Sequence, residues 1–167
     1  MTVILIILSF ISALLEATIL PAAKIAGGFF ELGTVIIIIF SFWSRWRDAG
    51  IFLIFWAIFL AMLTKIPAVY FLLPNFIIMI GFYFLFSRRV IPRPTTLFSF
   101  PLFFVAVAFV DFIKILILAE FSLSGFSHLI ADAFISALFA TVVYYMINKI
   151  YFFFNPGVAK ERVKLAE

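Results

Sequence analysis

The chain has 167 residues, of which 67% are hydrophobic and only 12% charged, and its mean hydropathy is +1.31. Soluble globular domains average about 45–50% apolar and about 25% charged residues, so a water-soluble enzyme, a disordered tail and an ordinary nucleic-acid module are excluded. The absence of cysteine also excludes a disulfide scaffold. What remains is an all-α, polytopic integral membrane helix bundle.

A helix needs roughly 20 apolar residues to cross a hydrocarbon core about 30 Å thick. Six apolar runs can be read, and backbone groups in lipid must be paired within each segment, so each run is predicted to be a helix. The first covers Val3 to Ala22. Only Met1 and Thr2 precede it, with no basic stretch and no clear small-residue cleavage site before Pro21, so it is expected to be a retained helix rather than a signal peptide. The second covers Phe29 to Trp43 and the third Ile51 to Thr64; both are short for a full crossing. The fourth covers Ala68 to Phe86, the fifth Leu97 to Ala119 and the sixth Leu129 to Asn148. Runs such as Val35–Phe40 lack the alternating polarity of barrel strands. The expected organisation is one transmembrane bundle over 1–155 and a short charged cytoplasmic tail over 156–167.

Lys65 and Pro67 close the third run, and Pro74 and Asn75 interrupt the fourth. The preferred reading is a tight hairpin followed by a proline-kinked helix. The alternative is a broken segment lining a site, as in many transporters.

Basic residues set the orientation. Arg45 and Arg47 lie between runs two and three, Arg88, Arg89 and Arg93 between four and five, and Lys149, Lys160, Arg162 and Lys164 after six. With six spans all of these share one side, which faces Lys24 and Lys65 across the membrane, and both termini are then cytoplasmic. Trp43 and Trp46 flank the first basic loop at headgroup depth. The net charge of +4 fits anionic lipid at the cytoplasmic leaflet better than nucleic acid.

Charges inside spans cost about 2.5–3.5 kcal/mol each on insertion scales, so each needs a partner or a wet cavity. Asp111 and Lys114, three residues apart in the fifth run, share a helix face. An internal salt bridge is the preferred reading, and a proton or substrate relay the alternative. Glu16 and Asp132 sit toward the less basic ends of their helices, near His128 and Glu120. They are expected to reach interfacial water; the alternative is an outward acidic pocket for a cationic ligand or a partner's basic residue. His128 and Asp132 have i, i+4 spacing but supply two metal ligands where three or four are needed, so no metal and no cofactor are expected. No nucleophile–base pair, metalloprotease helix or phosphate loop is present, and no enzyme activity is inferred. Ala13/Ala17 and Ala57/Ala61 have the small-residue spacing that lets helices approach closely.

Three stretches resemble the bacterial rod shape-determining protein MreD family. Leu14–Phe40 (LLEATILPAAKIAGGFFELGTVIIIIF) is similar to that family's first hairpin. Ala57–Arg89 occupies the place of its middle hairpin, with Ala61 and Lys65 where the family usually has Gly and Asp. His128–Phe154 is similar to its last helix, with a basic, aromatic end. The resemblance implies a non-catalytic scaffold of the cell-elongation machinery for peptidoglycan synthesis, placed in the bacterial inner membrane. Its partners would be a bitopic protein of the MreC type, other elongation-complex components and the membrane lipids. It also implies a fold resembling the substrate-binding subunits of energy-coupling-factor transporters. The alternative function is therefore a substrate-binding membrane subunit of a vitamin or metal transporter.

Overall fold

The computed structural model describes residues 2–19, 31–43, 45–87, 96–118 and 123–154. Lys24, Arg88, Arg89, Arg93, Glu120 and the tail lie outside the described residues, as does the side chain of His128. The described residues form six helices: α1 (Thr2–Thr18), α2 (Leu32–Phe42), α3 (Trp46–Thr64), α4 (Ala68–Ser87), α5 (Thr96–Leu118) and α6 (Leu123–Phe154). Four stretches within them are long and apolar enough to cross a membrane: Trp46–Thr64, Ala68–Phe86, Ser99–Ile117 and Leu129–Lys149. The helices α1 and α2 are apolar but shorter. At a rise of 1.5 Å per residue, the 11 residues of α2 extend about 16 Å, roughly half the thickness of a bilayer core.

Local chemistry explains where the helices start and stop. The apolar run alone places the start of α3 at Ile51, yet the helix begins at Trp46. Arg45 Nε contacts Asp48 Oδ2 at 2.7 Å, and Asp48 stands in the first turn, where a helix N-terminus favours an acid. That pair carries Arg47, Asp48 and Gly50 into the helix although they are not part of the apolar run. At the other end Lys65 adopts a left-handed conformation (φ 62°, ψ 13°) and its N–H donates to the Ala61 carbonyl at 2.9 Å. This is a left-handed C-cap. The irregular backbone between α3 and α4 is confined to Lys65–Pro67. Helix α4 runs without interruption through Pro74, which has no N–H to donate to the preceding turn. The next residue, Asn75, is fully buried and its Nδ2 donates to the Phe71 carbonyl at 2.9 Å.

Helix α2 is the hub. It packs against all five other helices, whereas α1 packs chiefly on α3 and α5 chiefly on α6. Around its C-terminal half, Phe42 packs edge-on or tilted among the rings of Phe82, Phe103 and Tyr144 with centroids 5.2, 4.8 and 5.8 Å away. On its other side Ile37 joins Ala13 of α1, Phe52, Trp56 and Ala57 of α3, and Phe71 of α4 in a second core. Lipid tails are as apolar as these side chains, so close packing and interhelical hydrogen bonds hold such a bundle together. Small residues permit that packing. Ser9, Ser12 and Ala13 form the buried face of α1 against α3, and Ser9 Oγ donates to the Phe52 carbonyl at 3.2 Å as well as to the Leu5 carbonyl at 2.7 Å. Ala133, Ser136, Ala137 and Ala140 make the equivalent buried face of α6.

Candidate functional site

The polar interior of the bundle gathers at the N-terminal end of α2. A helix start leaves backbone N–H groups without intrahelical partners, and here a carboxylate from another helix takes one of them. Glu16 of α1 accepts a hydrogen bond on Oε2 from the Gly33 N–H at 3.1 Å. The same oxygen accepts from Trp56 Nε1 of α3 at 3.1 Å. Gly33 is required at this crossing, because a Cβ there would lie 2.0 Å from the Trp56 indole. One carboxylate thus ties α1, α2 and α3 together.

Glu31, immediately before α2, does the same for the other half. Its backbone N–H donates to Ser136 Oγ of α6 at 3.2 Å, and its Oε2 accepts from Thr34 Oγ1 at 2.8 Å. Its Oε1 is in direct contact with Lys114 Nζ of α5. Lys114 also reaches Asp111 Oδ1, one turn back on α5, at 3.4 Å. The Lys114–Glu31 contact is the closer of the two. Both Asp111 and Lys114 are buried, each 7% exposed. The Glu31 and Asp111 carboxyls lie within hydrogen-bonding reach of each other, and Asp132 of α6 adds a further negative field at Asp111. Glu16 stands close enough to feel both Glu31 and Lys114. Glu31, Lys114 and Asp111 thus form a contact cluster at the start of α2, with Glu16 of α1 and Asp132 of α6 acting on it through their charge.

Of the residues singled out by the sequence, Asp111 and Lys114 belong to this cluster, and Glu16 and Asp132 stand near enough to act on it. His128 lies on α6 one turn before Asp132, with its side chain outside the described residues. Lys65, Pro67, Pro74 and Asn75 lie on the α3–α4 hairpin: Lys65 is exposed, while Asn75 is buried with Oδ1 lacking a partner. Glu31 is the member that sequence reasoning missed. It is 83 positions from Lys114, and its one sequence signal was an acid inside the second apolar run, Phe29 to Trp43. Trp56, Thr34 and Ser136 were missed for the same reason: their polar atoms gain meaning only across helices. Among the described residues no group of three or more His, Cys, Asp or Glu side chains converges to hold a metal ion.

No protein-family model, curated protein or solved structure matches the chain.

Proposed function

We propose that the chain is a non-catalytic membrane scaffold of the bacterial cell-elongation machinery, similar to the MreD family. On this reading it crosses the inner membrane six times with both termini cytoplasmic, its fold resembles the substrate-binding subunits of energy-coupling-factor transporters, and it docks a bitopic partner of the MreC type. One observation carries the reading: the ammonium of Lys114 is engaged by Glu31 and Asp111 of its own chain. The interior ions are then spent on joining helices, which leaves the outer surface and the short loops to meet partners. Exposed apolar side chains on α3 to α6, such as Ile54, Tyr83, Val105 and Phe134, face outward and suit lipid or another transmembrane helix.

The test is copurification and depletion. Mild-detergent extraction of the tagged full chain is expected to bring down a bitopic protein of the elongation complex, and depletion is expected to turn rod-shaped cells round. Unchanged cell shape after clean depletion refutes the reading. The second reading, a substrate-binding transporter subunit, is favoured by the surplus of acids around Lys114. It predicts that a cationic vitamin or metal raises the thermal midpoint of the purified protein; a midpoint unmoved across such ligands counts against it.

A further inference from the structure

Counted as ions, the buried cluster does not balance. Glu16, Glu31 and Asp111 bear on one ammonium, and Asp132 adds its field at Asp111. An uncompensated charge in an apolar bundle is strongly unfavourable, and such groups neutralise instead. The geometry identifies which group is out of place as an ion. Asp111 is 7% exposed, and its Oδ2 has no hydrogen-bond partner. Its Oδ1 reaches Lys114 only at 3.4 Å, while Lys114 makes its close contact with Glu31. An ionised carboxylate only accepts hydrogen bonds, so two facing carboxyls bond to each other only if one carries a hydrogen.

The described groups around Asp111 are consistent with this. Lys114 shares its own helix, Glu31 precedes α2, and Asp132 faces it from α6, with Glu16 of α1 acting through Glu31 and Lys114. The titratable residues of α4, the remaining helix packed on α5, are Tyr70 and Tyr83. Among the described residues, α2 and α4 carry no Lys or Arg, Lys149 stands on α6 about five turns beyond Asp132, and Glu31 has the closer claim on Lys114. Three or more ligands gathered as a metal needs are not found among the described residues. A single hydrogen fits the unpartnered oxygen.

We propose that this cluster is a proton-binding site, in which the Asp111 carboxyl carries the proton and shares it with Glu31 while Lys114 neutralises the Glu31 carboxylate. The proton comes from water and returns to water, with no other bond made or broken. It joins α5 to the start of α2, so its loss places two negative charges across that contact. The proposal concerns the bundle interior and stands whether or not the outer surface docks an elongation partner.

The experiment uses the full chain in lipid vesicles and infrared spectroscopy. At neutral pH the wild type is expected to show the C=O stretch of a protonated carboxylic acid, shifted by carbon-13 labelling of aspartate and missing from Asp111→Asn. The thermal midpoint of Asp111→Asn is expected to match that of the wild type, because the amide supplies the same donor to Glu31. The proposal is overturned if the band is absent, if it shifts with labelled glutamate instead, or if Asp111→Asn loses as much stability as Lys114→Met. A wild-type midpoint that rises with sodium chloride but not with choline chloride at constant pH, and does so only with Asp111 present, also overturns it, since a metal cation then holds the site. Isotope labelling is done on the wild type, so the test survives even if Asp111→Asn fails to fold.

Discussion

Replacing Lys114 with methionine is the most direct test of the cluster's role. The side chain keeps most of its length and apolar stem but loses the ammonium, so Glu31 and the Asp111 carboxyl remain buried without their cation. An exposed ion pair is worth about 0–1 kcal/mol. Here the side chains of Lys114 and Glu31 are 9% and 16% exposed, which puts the pair in the buried regime. Breaking one side of a buried pair costs about 3–5 kcal/mol, or about two to four powers of ten in the folded-to-unfolded ratio. Neutralising the stranded acid as well is expected to recover much of that, so Lys114→Met with Glu31→Gln should be more stable than Lys114→Met alone. The assay is equilibrium unfolding of the purified full chain in bicelles, read by tryptophan fluorescence, with all four proteins of the double-mutant cycle measured together. If Lys114→Met lies within about 1 kcal/mol of the wild type, or the second change deepens the loss, the cross-helix ion pair does not hold the bundle together.

The other predictions concern the crossing of α1, α2 and α3 and the orientation. Gly33→Ala is expected to cost about 1–3 kcal/mol or more, because its Cβ would meet the Trp56 ring at 2.0 Å; the same unfolding assay checks it, and combination with Trp56→Leu should relieve part of the loss. Trp56→Phe keeps most of the ring but removes the N–H given to Glu16, and is expected to cost about 0.5–1.5 kcal/mol as a lost hydrogen bond. Single-cysteine labelling of intact cells is expected to place positions 45 and 149 on one face and position 65 on the other; modification of 45 and 65 from the same side would refute the six-span arrangement.

Much of the architecture is legible in hydropathy because lipid imposes a simple rule: an apolar run of sufficient length has to pair its own backbone. The runs at 68–86 and 97–119 accordingly lie close to α4 and α5. The rule fails where polar residues are helical for local reasons, as at Arg47, Asp48 and Gly50, which an i, i+3 contact brings into α3. The site was legible only in part. Asp111 and Lys114 announce themselves by their spacing, and Glu16 and Asp132 by the cost of their charge. What hydropathy cannot encode is that a lysine on α5 meets an acid ahead of α2, or that an indole on α3 meets a carboxylate on α1. Glu31 lies inside the second run, Phe29 to Trp43, and only the packing of distant helices makes it the main partner of Lys114.

The short central helix has a consequence for biogenesis. At 11 residues α2 is too brief to settle across a bilayer by itself, and its residues from Gly33 to Phe42 are almost all shielded by neighbouring helices. Some of those neighbours, α3 to α6, are synthesised after it. The enclosure of α2 is thus complete only when these later helices have packed on it. Truncated chains ending before α5 would lack Lys114, and with it the cation that holds the entrance of that helix in place.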